Sequence, residues 1–174
     1  MLISDEYRAA QKHLHDTTEY GVASAAFAPL VSKLIEQHGV KELLDYGAGS
    51  RLTLIRTISE KHLCKAPFKY HPYEPAIELH SKTPDPREMV VCLDVLEHVE
   101  PDCLDAVLND LKRVTLRLGL FSIHCGPAGK VLPDGRNAHL IQEPPEWWLP
   151  KITDRFTLQT FQRTPEGFTV LVSP

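Results

Sequence analysis

Two hydrophobic spacings alternate along the chain, and this alternation predicts helices and strands that follow one another. After a polar, helix-compatible segment at 5–19, apolar residues recur at helical spacing through 22–38, and Gly39 is expected to end that helix. The apolar stretch VKELLDYG at 40–47 predicts a short strand, and RLTLIRTISEKHL at 51–63 predicts a helix with one apolar face. The first 63 residues therefore end in a strand, a glycine turn and a helix.

The rest of the chain continues the alternation and closes with a pair of strands. A short strand is expected near 68–74, where prolines limit its length, and MVVCLDVL at 89–96 has the continuous apolar character of a central strand. An amphipathic helix is predicted from Pro101, and LGLFSIHC at 118–125 predicts the next strand. A loop rich in Gly and Pro then leads to about residue 141, followed by the short helix PPEWWLPKI and a hairpin of RFTLQTFQR with GFTVLVS.

This order of elements predicts an α/β fold with a mostly parallel sheet and a C-terminal antiparallel hairpin. The length of 174 residues and the 43% hydrophobic content suit one domain, with N-terminal helices at 1–39 and a doubly wound α/β core at 40–174. In such sheets ligands bind in the crevice at the carboxyl ends of the strands.

Charge and composition narrow the classes of partner. The net charge of −4 gives no general attraction to nucleic acid, and no apolar segment is long enough for a membrane span. The four cysteines are too irregularly spaced for a zinc framework, so reduced thiols and a cytoplasmic location are expected. These observations predict no membrane partner, and they disfavour a nucleic-acid partner without excluding one.

Acids and glycines at the predicted strand ends indicate the ligand. The turn contains Gly47 and Gly49 but has Leu52 where a dinucleotide fingerprint has its third glycine, and Asp45 would repel a pyrophosphate. Glu74 follows the second strand, where a carboxylate can accept both hydroxyls of a ribose. We therefore predict a ligand with a cationic amino-acid end and a ribose end, such as S-adenosylmethionine.

The motifs LLDYGAGS, YEP and DVLEHV resemble those of class I S-adenosylmethionine-dependent methyltransferases. The chain also resembles a short subgroup from bacteriophage and bacterial genomes, marked by VVCLDVLEHVEPDCLDAVL, LPDGRNAHLIQ and WWL, over about residues 7–156. The resemblance implies the Rossmann-like fold of that family. Residues 76–88 are too few for the helix, strand and helix usually found there, so we predict that the family's third strand is missing.

Together, the residue pattern and the resemblance give the predicted cofactor contacts. They are Tyr20, Asp45, Gly47, Gly49, Glu74, Leu93 and Asp94. Asp94 and Glu97 have an alternative role as acids favourable near the start of the helix at Pro101. Ser50 and Arg51 depart from the family's turn, which bears on how tightly the cofactor is held.

The loop DGRNAH at 134–139 is either an ordinary turn or a polar surface over the crevice, and we predict the second. The predicted substrate contacts are Glu97, His124, Asp134, Arg136 and Asn137. For a hydroxyl or amine acceptor, His98 and His139 are the candidate general bases, because imidazole titrates near neutrality. The spacing of the histidines supports no metal site, and none is assigned.

The sequence thus predicts a methyltransferase that acts on a small polar acceptor such as a sugar or a nucleotide. The rival interpretation is a non-catalytic binding module that keeps the fold, favoured by the altered turn and the missing strand. A nicotinamide oxidoreductase is opposed by Asp45 and Leu52. The edge left by the missing strand offers a surface on which a second copy of the chain can pair.

Overall fold

A computed structural model of the protein describes residues 1–18 and 23–174. The helices are α1 Asp5–Thr17, α2 Ala28–His38, α3 Thr53–Glu60, α4 Leu104–Val114 and α5 Pro145–Thr153. The strands are β1 Glu42–Tyr46, β2 Lys69–Tyr73, β3 Arg87–Leu93, β4 Thr115–His124, β5 Thr157–Arg163 and β6 Gly167–Ser173. Among the described residues, no helix has both the length and the apolar character needed to cross a bilayer.

The six strands form one mixed sheet in the order β2-β1-β3-β4-β6-β5. The pairs β2–β1, β1–β3 and β3–β4 are parallel, whereas β6 pairs antiparallel with both β4 and β5. This confirms the α/β fold with a mostly parallel sheet and a C-terminal hairpin. The strand order reverses between β1 and β3, so the carboxyl ends of these strands flank the crevice where open α/β sheets bind ligands.

The segment between β2 and β3 contains no strand, which confirms the prediction that a third strand is missing there. Its regular structure is a single 3-10 turn, Glu78–His80, and β2 therefore remains at the edge of the sheet. Pro72 lies in this edge strand, opposite Asp45 of β1. An edge position tolerates proline because one side of the strand has no ladder to which an N–H must donate. Pairing of this edge with a second subunit stays a prediction.

Both faces of the central strands are buried, as expected from the continuous apolar run of β3. Successive side chains of a strand point to opposite faces, and this alternation divides the core into two layers. Val90 and Cys92 of β3 pack on the side of α4 and α5. Met89 and Val91 pack on the side of α2 and α3.

The boundary between α4 and β4 differs from the sequence-based expectation. The helix ends at Val114 and β4 begins at Thr115, before the predicted start at 118. Thr115 already pairs with Arg87 of β3, and the register shifts between Arg87 and Met89. Pairing with β3 therefore fixes the start of β4. Residues 115–117, whose spacing is also compatible with a helix, belong to the strand.

Helix α1 is fixed across the carboxyl end of the sheet. Its N-cap is Ser4, whose hydroxyl accepts the N–H of Tyr7 at 3.1 Å. The backbone N–H and the hydroxyl of Ser4 also donate to the Glu100 carboxylate at 2.8 and 2.7 Å. On its buried face, Tyr7 and Leu14 pack with residues of the long loop after β4. Helix α1 and that loop therefore form a joint cover over the crevice.

Candidate functional site

A cavity of about 460 Å³ lies at the carboxyl ends of the parallel strands. Its walls come from α1, from the loops after β1, β2 and β3, and from the long loop after β4. This volume lies in the range of small-molecule sites, roughly 300 to 1,000 Å³. The cavity therefore lies at the end of the sheet where the sequence predicts the ligand.

The turn after β1 is shaped by contacts that require glycine. Gly47 has φ +86°, and a Cβ on it would lie 2.4 Å from Cγ2 of Val95 in the loop after β3. The N–H groups of Gly47 and Ala48 both donate to the carbonyl of Tyr73, at 2.8 and 3.0 Å. The end of β2 therefore holds the turn in place, and Gly47 and Gly49 line the cavity.

Glu74 presents a buried carboxylate at the cavity wall. The residue is 9% exposed and lines the cavity. Its two oxygens accept the N–H of Gly49 and the N–H of Ala76, each at 3.2 Å. Burial raises its pKa. A carboxylate has about four lone-pair sites, so two backbone hydrogen bonds leave acceptor capacity for a ligand.

The side chain of Asp45 points away from the cavity, contrary to the expectation from the sequence. Its carboxylate is 2% exposed and accepts the hydroxyl of Tyr70 at 2.6 Å. Because strand side chains alternate, Asp45 points to the face that carries Leu43, while Tyr46 points to the cavity. Asp45 is absent from the cavity lining. The expectation that its side chain faces the contents of the turn is therefore replaced by a role beneath the turn.

Burial makes the Asp45 carboxyl sensitive to pH, with its pKa raised from 3.8 to about 7. The folded protein keeps this proton at pH values where the unfolded chain has lost it, so this group's contribution to stability falls as pH rises between those values. Between pH 4 and pH 7.5, the free energy of unfolding should fall further for the wild type than for Asp45→Asn. The difference between the two decreases is expected to be on the order of 3 kcal/mol. Urea unfolding at both pH values measures this.

Asp102→Asn is the control for the Asp45 comparison, because Asp102 is exposed. Its pH dependence should follow that of wild type. Parallel pH profiles for wild type and Asp45→Asn would contradict the raised pKa.

At the end of β3, Asp94 faces the cavity and Leu93 does not. Asp94 has φ +53° and accepts the hydroxyl of Ser122 at 2.6 Å. It lines the cavity together with Val95. Leu93 packs in the core on the side of α2 and α3 and is absent from the cavity lining. Of these two predicted cofactor contacts, the structure brings Asp94 alone to the cavity.

Three histidines from distant parts of the chain meet at the cavity wall. The ring centroids of His98 and His139 are 4.5 Å apart, and those of His124 and His139 are 4.9 Å apart. All three side chains line the cavity. Burial, followed by the neighbouring His139, lowers the pKa of His98 to about 3, and burial also lowers the pKa of His139. His98 and His139 are therefore neutral imidazoles near pH 7.

Glu97 lies behind these histidines. It is 0% exposed, and one carboxylate oxygen accepts the N–H of His124 at 2.9 Å. The other oxygen, Oε2, has no hydrogen-bond partner among the described residues. Burial raises the pKa of Glu97 well above its usual range. One oxygen of Glu97 and one ring nitrogen from each of His98 and His139 lie within 4.8 Å of one another.

Most of the segment 134–139 is turned away from the cavity. Asp134 and Arg136 are exposed and paired with each other, with Nε donating to Oδ2 at 2.8 Å. Asn137 is used within the loop, where its Oδ1 accepts the N–H groups of Ala128 and His139 at 2.9 Å. His139 is the member of this segment that lines the cavity. Asp134, Arg136 and Asn137 therefore do not line the cavity, contrary to their prediction as substrate contacts.

Helix α1 supplies cavity residues that were not predicted from the sequence. Tyr7, Gln11 and His15 line the cavity, and the hydroxyl of Tyr7 donates to the carbonyl of His98. Nε2 of His15 lies 3.9 Å from Oε2 of Glu74. The available signal was a polar helix whose residues 7, 11, 14 and 15 recur at helical spacing. The predicted cofactor contact Tyr20 lies outside the described residues.

Comparisons of the fold with solved structures return methyltransferases. The magnesium protoporphyrin IX methyltransferase of Synechocystis PCC 6803 with bound SAM has a TM-score of 0.62 and 12% identity, over 99% of this chain and 98% of that chain. The 1,6-didemethyltoxoflavin-N1-methyltransferase of Burkholderia thailandensis, with bound 1,6-didemethyltoxoflavin and S-adenosylhomocysteine, has a TM-score of 0.61 and 16% identity, over 97% and 88%. Mitomycin 7-O-methyltransferase has a TM-score of 0.62 and 12% identity, over 94% and 60%.

No protein-family model matches the sequence, and no curated protein matches it. Because the sequence identities to the solved structures are low, the similarity establishes only that this chain has the fold of these methyltransferases.

Proposed function

We propose that the protein is an S-adenosylmethionine-dependent methyltransferase that acts on a small polar acceptor, such as a sugar, a nucleotide or a similar metabolite. The observation that carries the proposal is the Glu74 carboxylate, which lines the cavity at the strand ends beside the turn of Gly47 and Gly49. Methyltransferases of the same fold have been solved with SAM or S-adenosylhomocysteine bound. This likeness supports the choice of cofactor.

The cavity residues fit such a cofactor. Glu74 has acceptor capacity for ribose hydroxyls, and the two glycines let a ligand approach the backbone of the turn closely. Asp94 adds a second carboxylate to the same wall, suited to a cationic amino group. When bound, the cofactor supplies a methyl group already activated by its sulfonium. The protein's task is therefore to align the acceptor and to exclude water.

The histidine wall is assigned to the acceptor. His98, His124 and His139 present polar groups in a cavity that apolar residues otherwise line in large part, and a polar acceptor needs such groups for orientation. A base with a pKa of about 3 accepts a proton poorly near neutral pH, which disfavours His98 as general base. His139 is therefore the better of the two predicted bases.

Isothermal titration calorimetry with S-adenosylmethionine and S-adenosylhomocysteine tests the proposal, with NAD⁺ as the control ligand. We expect binding of the first two at micromolar concentrations and no heat from NAD⁺. Circular dichroism establishes that the sample is folded. A folded protein that binds neither ligand at about 100 μM would overturn the proposal in favour of a non-catalytic module.

A further inference from the structure

Side chains of Glu97, His98 and His139 converge on one point at the edge of the cavity. Glu97 and His98 follow β3, whereas His139 comes from the far end of the long loop after β4. One ligand-type atom from each residue lies within 4.8 Å of the other two. Two imidazoles and one carboxylate form a ligand set found in zinc and iron(II) enzymes.

Backbone hydrogen bonds fix the tautomer of both imidazoles. Nδ1 of His98 lies 2.7 Å from the carbonyl of Ala138, and Nδ1 of His139 lies 2.7 Å from the carbonyl of Gly126. A carbonyl only accepts, so each Nδ1 carries the proton and each Nε2 carries a lone pair. Metal-binding histidines almost always donate their second ring N–H in this manner, which fixes the orientation of the ring.

The carboxylate adds an independent observation. Glu97 is completely buried, and its Oε2 has no hydrogen-bond partner among the described residues. Its Oε1 is held by the N–H of His124, which fixes the side chain in this position. A buried carboxylate oxygen without a partner costs free energy unless a proton or a cation satisfies it.

From this geometry we infer that Glu97, His98 and His139 bind one divalent first-row transition-metal ion, such as Zn²⁺ or Fe²⁺, at the cavity wall. The inference rests on the proposed function and deepens it. Glu97 is the buried ligand, behind the cavity wall, and the two histidines line the cavity. Three protein ligands leave a coordination position for an oxygen of the acceptor, as in catalytic rather than structural zinc sites.

The metal ion would activate a hydroxyl acceptor, so that no side chain would be needed as a general base. Coordination would lower the pKa of the hydroxyl, so that its proton would be released to bulk solvent and the oxygen would become a better nucleophile. That oxygen forms a bond to the methyl carbon while the carbon–sulfur bond breaks, and the bond's electron pair stays on sulfur. The sulfonium becomes a neutral thioether, and no oxidant or reductant is needed. In this arrangement His139 is a ligand and not the proton acceptor.

Metal binding is measured on the full chain after dialysis against EDTA, by calorimetry with Zn²⁺ and by the visible absorption of added Co²⁺. We expect one ion per chain with a dissociation constant in the micromolar range or below. Glu97→Gln keeps the shape of the side chain, and we expect at least about a 100-fold loss of Zn²⁺ affinity. His139→Ala should show a loss of the same order.

His13→Ala is the matched control, because His13 is an exposed histidine of α1. It should bind Zn²⁺ as wild type does. Thermal unfolding establishes that each variant is folded, and if Glu97→Gln does not fold, His139→Ala decides. The inference is overturned if wild type binds neither ion at about 100 μM, or if a folded ligand variant binds Zn²⁺ as tightly as wild type.

The two proposals fail separately. The metal titration contains no methyl donor, and the titration of S-adenosylhomocysteine is repeated in EDTA. A protein that binds S-adenosylhomocysteine but neither metal ion overturns the metal site alone. A protein that binds Zn²⁺ but no methyl-donor ligand overturns the proposed function and leaves the metal site in place.

Discussion

Replacement of Glu74 by alanine is expected to weaken the binding of S-adenosylhomocysteine by at least about 100-fold. Hydrogen bonds to a charged group contribute about 1.5 to 3 kcal/mol each, and a carboxylate can accept both hydroxyls of a ribose. The loss of two such bonds corresponds to two or more powers of ten in affinity. Titration calorimetry of the wild type and the variant measures the change.

Glu78→Ala is the matched control for this experiment. Glu78 has the same type of side chain, lies four positions later and is exposed. It should leave the affinity within about twofold of wild type. Because Glu74 also accepts the N–H of Gly49, circular dichroism must accompany the titration. A folded Glu74→Ala protein with wild-type affinity would remove Glu74 from the site and weaken the choice of cofactor.

Trp148→Ala is expected to lower the free energy of unfolding by about 3 to 5 kcal/mol, the range typical of a large aromatic residue removed from a core. Trp148 is 0% exposed and packs in the core layer beside α4 and α5. Its indole N–H donates to the carbonyl of Glu143 at 3.1 Å, so the substitution also leaves that carbonyl without its donor. Urea unfolding measures the difference.

The adjacent Trp147 provides the comparison for Trp148. Trp147 is half-buried, and the ammonium of Lys151 lies 4.0 Å from its ring centroid. Such a cation–π contact contributes about 0.5 to 1 kcal/mol at an exposed site. Trp147→Ala should therefore cost much less than Trp148→Ala. Equal losses for the two variants would contradict the assignment of Trp148 as the core residue.

The different environments of the two tryptophans could be predicted from the sequence only in part. Adjacent positions on a helix point in different directions, so the sequence predicts that the two rings do not share one environment. Which of them enters the core depends on the rotation of α5 against the sheet. That rotation is set by packing against residues distant in sequence, such as Phe168 of β6.

Asp45 and Glu74 show the same limit at the cavity. Both were predicted from their positions at the ends of apolar strands, and the backbone position of each is as expected. Side chains alternate between the two faces of a strand, so a shift of one residue in the strand's register sends a side chain to the opposite face. Tyr70 on the neighbouring strand holds the Asp45 carboxylate on the face away from the cavity. Glu74 instead follows the end of β2 and faces the cavity.

The sequence by itself determined the α/β class, the order of the strands along the chain and the missing third strand. It also determined that polar residues collect at the carboxyl ends of the strands. These features follow from local spacing and from the number of residues available between elements. Only the tertiary structure decided that α1 covers the cavity, that Asp134 and Arg136 face outward, and that Glu97, His98 and His139 meet. Such contacts join residues far apart in sequence, and no local pattern encodes the path by which the loop after β4 returns to the end of β3.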